Sequence, residues 1–440
     1  MKPNSATGTL HPDFKEQPYW WEAAPPRSVK DELPGRVDVA IVGSGYCGLL
    51  AAAELAAHGR EVVVLEADFL GAGASTRSGG MVSSGQKLVV GGAIDGVEPA
   101  LFERMIEDSV ESFAFLQRLV RDAALDADLS LTGRFFGAHA PAQFERLKEV
   151  GRILHERSGV RVHVYERDRQ REVVGSDYFH GGILIDDYGG LHPGKYHRAL
   201  CGYAEARGAV LRSHAPVREI TREGDLFRLR TGRGEVVARD VIVATNGYTG
   251  AATPELARRV VPVRSYQVAT EPLDPALMRR LNPGRRMVTD TKRELYYARP
   301  SPDGTRMLLG TRPGVFEHTD REAAPVLHRA LCRYWPELAD VRLTHAWSGR
   351  VAMTFDKTAH MGTRDGVHFA LGCNGNGVAL MSYLGWRTAR KLLGQENRPC
   401  AFDRPEFPTR GFYGGRPWFL PVVSAYYRAR DAVDRLSAPR

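Results

Sequence analysis

The stretch "VDVAIVGSGYCGLLAAAELAAHGREVVVLEA", residues 37–67, constrains the fold more than any other part of the chain. Val39 to Val42 read as a short buried strand. Gly43, Gly45 and Gly48 complete G-x-G-x-x-G, an Ala/Leu-rich helix follows, and a second strand, Val62 to Leu65, ends in Glu66. Each glycine has its own physical role, with a tight turn at Gly43, close backbone approach to a pyrophosphate at Gly45, and helix–strand packing at Gly48. The helix start offers unpaired N–H groups to phosphates, and Glu66 stands where an acid can accept from both hydroxyls of a ribose. Strand, helix, strand and acid in register predict a dinucleotide-binding βαβ unit.

A sequence of 440 residues is long enough for two or three domains. No apolar run reaches the roughly 18 residues that cross a membrane, and the opening "MKPNSATGTLHPDF" lacks a secretory apolar core, so a cytoplasmic location is expected. The 5 cysteines are scattered with no C-x-x-C pair, which suits free thiols and gives no expectation of a metal. The 60 basic residues against 52 acidic are spread along the chain and form no stripe with interleaved aromatics. A bias toward anionic ligands, without nucleic acid, is the expected consequence.

Directly after Glu66, "FLGAGASTRSGGMVSSG" (Phe69 to Gly85) replaces the helix of an ordinary nicotinamide-binding unit. Such a loop suits backbone laid against an extended cofactor, with Ser75 and Arg77 available to its phosphates and ribityl chain. Helical spacing recurs over residues 98–122 and 142–158, read as part of an inserted domain. A helix is expected from about Lys195 to Arg207, a strand from His214 to Val217, and a hairpin around Gly224 to Gly234. "DVIVATNGYTG" then forms a buried strand ending at Ala244, similar to the strand that packs beside the first one in two-dinucleotide folds. From Val260 to Gly349 the pattern is antiparallel sheet, with Pro302-Asp303-Gly304 as a hairpin turn.

A second glycine turn, "LGCNGNGVALM", opens a helix from Val378 to Leu393 with Gly394 as its stop. One helix start suits a pyrophosphate. A second suits a ring that turns negative on accepting a hydride, as reduced flavin does, with a helix terminus contributing roughly 0.3–1 kcal/mol and about 2 when partly buried. Nicotinamide develops no such anion, so the second turn argues for flavin.

Together with "LHPGKYHRAL" and "VRSYQVATEPL", these motifs resemble the D-amino-acid oxidase/glycine oxidase family of FAD-dependent oxidoreductases, and within it the gamma-glutamylputrescine oxidase-like amine oxidases. The resemblance runs over about residues 18–430. It implies an α/β fold: a Rossmann-like FAD-binding domain of the two-dinucleotide-fold type (36–95, 190–258 and 347–398) carrying an inserted α+β substrate domain built on an antiparallel sheet (96–189 and 259–346). An N-terminal arm (1–35) and a C-terminal tail with an amphipathic helix (399–440) flank them. The resemblance further implies that Gly43, Ser44, Gly45, Tyr46, Cys47, Gly48, Glu66 and Ala67 hold the ADP half of FAD. Ala74, Ser75, Arg77, Ser78, Gly79, Gly80 and Met81 would run beneath the pyrophosphate and ring. Val217 would bond the adenine through its backbone, Ala244 would close the first turn, and Gly375, Asn376, Gly377 and Val378 would face the pyrimidine edge.

Ser78, Val351 and Ala352 stand where covalent members keep a histidine or cysteine, so non-covalent FAD is expected. Leu308, two residues before Gly310, takes the place of a lysine that sarcosine oxidases hold near the flavin. Tyr266, Tyr297, Arg299, Trp347 and His360 are the candidates for orienting substrate, with Tyr296 beside them, and an arginine would suit a carboxylate. The implied reaction oxidises the C–N bond of an amine, amino acid or gamma-glutamyl amine, with O2 or another acceptor taking the electrons. A quinone-linked dehydrogenase and a non-catalytic binding module are the competing readings. Tyr19, Trp20 and Trp21 are expected to dock on the body, and Val422, Tyr426, Ala429, Val433 and Leu436 to form one apolar helix face that packs on the protein, a partner or, as the alternative, a membrane.

Overall fold

The computed structural model describes residues 8–85, 88, 94, 97–312 and 315–436. In chain order its elements begin with β1 (Leu10–Lys15), β2 (Arg36–Val42), α1 (Tyr46–Ala57), β3 (Val62–Leu65), β4 (Met81–Val82), α2 (Pro99–Asp122), β5 (Arg134–Gly137), α3 (Pro141–Ser158), β6 (Val162–Tyr165), β7 (Gly182–Ile185) and β8 (Gly189–Gly190). They continue with α4 (Pro193–Glu205), β9 (Val210–Arg212), β10 (Val217–Glu223), β11 (Leu226–Thr231), β12 (Gly234–Val243), α5 (Pro254–Ala257), β13 (Val261–Thr270), α6 (Pro275–Leu281) and β14 (Met287–Asp290). The last are β15 (Tyr297–Pro300), β16 (Met307–Thr311), α7 (Asp320–Tyr334), β17 (Leu343–Met353), β18 (His360–Arg364), β19 (Val367–Leu371), α8 (Ala379–Leu392) and α9 (Leu420–Leu436).

Parallel pairing of β9, β3, β2 and β12 gives the dinucleotide-binding sheet, and β19 joins β12 at its C-terminal end. The near-continuous apolar strands Val39–Val42 and Val62–Leu65 are buried on both faces, as covered parallel strands must be. The helix expected over 98–122 is present as α2, but its Met105, Phe113 and Leu116 join this first core. The buried Asp108 of α2 accepts from Tyr383 of α8, from Arg398 and from the Ala401 amide. That packing differs from the expected assignment of 96–189 to the inserted domain.

The second sheet runs β1-β17-β13-β16-β15-β14-β5-β7-β6. Away from the register shift where Thr270 meets Leu343, its strands alternate. Phe135, Tyr266, Val268, Val288, Ala298, Leu309 and Ala346 form a core with Leu327 and Leu331 of α7, so the intervening residues face the opposite way, toward the dinucleotide-binding core. Strand β17 continues in this sheet to Met353, past the expected boundary at residue 347.

Some local expectations are corrected. The strand near His214 ends at Arg212, and His214 itself adopts φ +52°, a turn in which its amide donates to Asp68. The hairpin over 224–234 is a three-stranded meander because β11 lies inside it. The N-terminal arm docks: β1 pairs with β17, and Trp20 is fully buried. Helix α9 binds by its polar side, Arg428 to Glu294 and Asp431 and Asp434 to Arg293, which leaves Val422 and Tyr426 exposed rather than packed. His139 brings a ring nitrogen within 4.8 Å of those two carboxylates, yet Arg293 Nη1 already stands 2.7 Å from each of them. No described helix is long and apolar enough to cross a membrane.

Candidate active site

The turn between β2 and α1 is built almost wholly of backbone. Gly43 holds φ +103°, and a β-carbon there would lie 3.0 Å from the Ala244 carbonyl oxygen of the strand beside it. A β-carbon on Gly48 would overlap the Gly43 carbonyl, so only glycine lets α1 approach its own strand this closely. Gly45 caps α1 with no side-chain partner, leaving the helix start to the Tyr46 and Cys47 amides, of which Tyr46 N–H donates to Ser75 Oγ at 3.2 Å. Burial pushes the Cys47 thiol up to about 12, so it stays protonated and inert.

Glu66 ends β3 directly against this turn. Its carboxylate accepts from the Ser44 amide (2.9 Å), the Ser44 hydroxyl (2.7 Å) and the Ala67 amide (2.8 Å). The Ala215 amide donates to the Glu66 carbonyl, which brings the chain entering Val217 alongside. The elements therefore gather an acid, a glycine turn and an uncapped helix start at one strand edge, a donor and acceptor set that fits the ADP half of FAD.

Beyond it, Ala74 to Thr76 form a single 3₁₀ turn and Arg77 crosses to the other sheet. Arg77 is not available to phosphates as expected: its Nε donates to Ala72 O (2.7 Å), its Nη1 to Ser348 O (3.1 Å), and its guanidinium lies over Trp21. Four side chains then grip the loop carbonyls. Trp347 Nε1 and Gln267 Nε2 both donate to Arg77 O, and Trp20 Nε1 donates to Ser78 O at 3.0 Å. Arg299 Nη1 donates to Gly79 O (3.0 Å) and Leu191 O (2.7 Å). The loop amides of Gly79 to Met81 are thereby held at a fixed height between the two sheets, and Met81 and Val82 pair with β8.

The second glycine turn lies on the far side. Asn246 Oδ1 accepts from the Gly372 and Cys373 amides, Asn376 N–H bonds Cys373 O, and Val378 is an N-cap without a side-chain partner. Helix α8 crosses α1 where a β-carbon on Gly385 would overlap the Cys47 carbonyl. A β-carbon on Gly85 would stand 2.9 Å from Asn376 Nδ2, so the loop of residues 74–85 ends beside the turn of Gly375 and Gly377. Two uncapped helix starts thus border one glycine-rich strip, a cradle with room for backbone contact and for an anionic ring edge.

Facing that strip is one side of the second sheet. Register places Gln267 opposite Trp347 and Gly310, Gly310 opposite Tyr297, and Tyr297 opposite Thr289. The Tyr297 ring lies 2.8 Å from where a Gly79 β-carbon would be. Burial pushes its phenol up to about 12, so it keeps its proton. One row further along, Arg299 pairs with Leu308. Leu308 sits with Trp20, Ala269 and Trp347 in a dry apolar cluster.

Two expected residues lie elsewhere. Tyr266 points to the α7 side, where its hydroxyl donates to His318 O, because its strand position has the opposite parity to Gln267. His360 is fully buried and stacked on Phe407, with its ring nitrogens taken by Asp356 and Arg404 O. Tyr296 likewise packs near Tyr334. Arg299 is present at the strip, but its donors go to carbonyls. The residues that were not anticipated are Arg134, Tyr188 and Thr289. Arg134 lies on the strip-facing side with Nε and Nη2 both donating to Thr289 Oγ1 (3.0 and 2.8 Å), and Tyr188 OH is 2.6 Å from Ser84 Oγ. Nothing in the local string "TGRFFGAH" separates Arg134 from an ordinary strand arginine.

A dinucleotide turn, a glycine strip in place of the next helix, and a second helix start on its far side define a flavin-dependent oxidoreductase of the two-domain type. The chain belongs to the DAO family, described as FAD dependent oxidoreductase, whose model matches residues 38–391. It is 30% identical over 423 residues to the probable oxidoreductase OrdL of Rhizobium meliloti, covering 94% of this chain and 97% of that one. It is 29% identical over 403 residues to the gamma-glutamylputrescine oxidoreductase of Escherichia coli, covering 90% and 92%. Among solved structures, glycine oxidase from Geobacillus kaustophilus superposes with a TM-score of 0.72 at 22% identity, covering 87% of this chain and 100% of that one, a likeness of fold.

Proposed function

We propose that this protein oxidises the C–N bond of an amine or amino acid, with non-covalent FAD as hydride acceptor and dioxygen as the final acceptor. The observation that carries the reading is the row Gln267, Trp347, Tyr297 and Thr289, which faces the Gly79 strip and holds no carboxylate or imidazole. The chemistry that bound FAD would supply is acceptance of a hydride from the carbon next to nitrogen and delivery of the electron pair to the final acceptor. The row itself orients and dries the substrate. Tyr297, protonated at neutral pH, offers an O–H donor. Trp347 and Gln267 hold the loop and exclude water. With no group in the row to take a proton, the amine reacts after losing its own to water, so the rate rises with pH through the substrate's ammonium pKa. The balanced outcome is amine plus O2 to imine plus H2O2, and the imine hydrolyses. The names of similar proteins, gamma-glutamylputrescine oxidoreductase and glycine oxidase, support an amine or amino-acid substrate.

Ser78 supports non-covalent attachment, since its position offers no nucleophile of the kind covalent members use. The Gly375–Val378 turn and the start of α8 would meet the pyrimidine edge, and the Gly43–Gly48 turn with Glu66 the ADP half. A second reading, a carrier-linked dehydrogenase, is favoured by Leu308, whose apolar cluster has no cation of its own. Against it, Arg299 supplies a buried positive charge one strand away, directly in register, and a cation stabilises the superoxide formed by the first electron transfer.

The test is anaerobic bleaching of the yellow protein by a panel of amines and amino acids, followed by mixing with oxygen. Bleaching by an amine and one H2O2 per imine are expected. If no amine or amino acid bleaches the flavin, the reading fails. If reoxidation by oxygen is far slower than turnover with an artificial acceptor, the dehydrogenase reading replaces the oxidase.

A further inference from the structure

We propose that Arg134 is the carboxylate-binding residue of the active site, so that the substrate is an amine carrying a carboxylate rather than a simple alkylamine or polyamine. The inference rests on the amine-oxidation reading for what is oxidised, and on the geometry of Arg134 for what is recognised.

Arg134 is 9% exposed, at the start of β5, and its side chain lies on the strip-facing side of the sheet over the Phe136 ring at 4.8 Å. Among the described residues no carboxylate stands within ion-pair distance of it. Both hydrogen bonds it makes, from Nε and Nη2, go to the single hydroxyl oxygen of Thr289. A guanidinium has five N–H donors in a rigid fork. With the Nε side taken up by Thr289, the end formed by Nη1 and the second hydrogen of Nη2 stays open, which is the geometry that grips a carboxylate through two parallel hydrogen bonds.

Other buried arginines of this chain are spent differently. Arg387 pairs with Asp108 and Glu396. Arg299, in register with Leu308, gives its donors to the carbonyls of Gly79, Leu191 and Pro300. Arg134 alone among these three combines a buried charge with only a neutral hydroxyl as partner. An uncompensated buried charge is costly, and an arriving anion removes that cost. Desolvation pushes its pKa down to about 10, which still leaves it charged at neutral pH.

Its surroundings put that open end at the active site. Tyr188 lies within electrostatic reach of the guanidinium, and the Tyr188 hydroxyl bonds Ser84 Oγ, two residues past β4. Gly85, next along, borders Asn376 of the second glycine turn. Thr289, which holds the guanidinium, is the cross-strand neighbour of Tyr297, and Tyr297 covers Gly79. Arg134 therefore stands at one end of the strip whose other end is covered by Tyr297. Thr289 acts through Arg134 and is a positioning residue.

The experiment uses the FAD-loaded protein and needs no turnover. Acetate, propionate and benzoate are titrated in while the flavin absorption spectrum and melting temperature are followed, with benzamide as the uncharged control. The wild type is expected to bind at least one of the acids and to ignore benzamide. Arg134→Met should weaken that binding about 10- to 100-fold at unchanged FAD content, Arg134→Lys should restore part of it, and Thr289→Val should raise Kd or KM while kcat changes little. Matched pairs such as sarcosine with dimethylamine, and proline with pyrrolidine, extend the test: KM should rise in Arg134→Met for the acids alone. Equal binding of carboxylates by wild type and the two Arg134 variants, no binding by the wild type, or equal preference for acids and decarboxylated amines, overturns the proposal. Carboxylate binding through Arg134 in a protein that no amine bleaches would instead overturn amine oxidation and leave the anion site standing.

Discussion

Residues 39–66 supply a turn, a helix start and an acid from one continuous piece of chain, whereas the face opposite Gly79 draws Gln267, Tyr297, Thr289 and Arg134 from four separate strands. The first region is built of backbone: Gly43 and Gly48 are needed for what they lack, and the groups it offers to a ligand are amides at the start of α1. The second works through side chains whose direction is set by strand parity. Within that second region the two buried arginines divide the labour. Arg299 is a strut between β15 and the loop of residues 74–85, and Arg134 donates, among the described residues, to Thr289 alone. The difference teaches that a buried arginine is read by its partners, and that its depth in the sheet says little about its role.

The backbone-built region should break most completely. Gly48→Val forces a side chain into the Gly43 carbonyl, and overpacking of this kind costs about 1–3 kcal/mol before any loss of ligand contact. FAD occupancy, read from the ratio of flavin to protein absorbance, is expected to fall to about a tenth or less. A variant that stays fully yellow would show that the close approach of α1 to β2 is not what forms the site.

The contrast between the arginines is sharpened by Arg299→Met. Three carbonyls lose their donor in a site where Arg299 is 4% exposed, and about 2–4 kcal/mol of stability should disappear in denaturant titration. Carboxylate affinity should change far less than in Arg134→Met. Loss of carboxylate binding at unchanged stability would exchange the roles assigned to the two residues.

A smaller effect is expected at the seam where the N-terminal arm meets the loop. His192 packs edge-on to Trp20 at 5.0 Å and accepts from the Lys195 amide at the start of α4. Burial drives its pKa down to about 4, against 6.5 in an open chain. Between those values the unfolded chain takes up a proton that the native protein refuses, so stability falls as pH drops from 6.5 toward 4 and this group adds no further loss below. The contribution is at most roughly 3 kcal/mol. His192→Asn keeps an acceptor for Lys195 and should flatten that part of the profile, measured by denaturant titration at pH values near 7 and 4.5; an unchanged slope would assign the acid sensitivity to other groups.

Most of the fold was legible along the chain. The βαβ unit, the glycine strip, the second turn with its helix, the hairpin at Pro302 to Gly304 and the docked tryptophans all announce themselves through spacing or through residues with narrow conformational range. Less was legible of the site. Tyr266 and Gln267 are neighbours in sequence and lie on opposite faces, and nothing short of the register with β16 and β17 decides which faces the strip. Arg77, beside the glycines, looked free for phosphate, but a carbonyl of β17 claims it. The apolar stripe of α9 suggested a packed face, yet the ion pairs of Arg428, Asp431 and Asp434 dock the other side.

The sequence by itself determined the dinucleotide site, because a glycine turn, a helix start and a terminal acid act within one short loop whose geometry is local. It determined the flavin as well, through a second turn of the same kind. What only the tertiary structure decided is the chemistry of the opposite wall: which side of each strand looks at the strip, that Arg299 is occupied by backbone carbonyls, and that Arg134 is not. Those facts depend on pairings between strands far apart in sequence, where a shift of one residue sends every side chain to the other face.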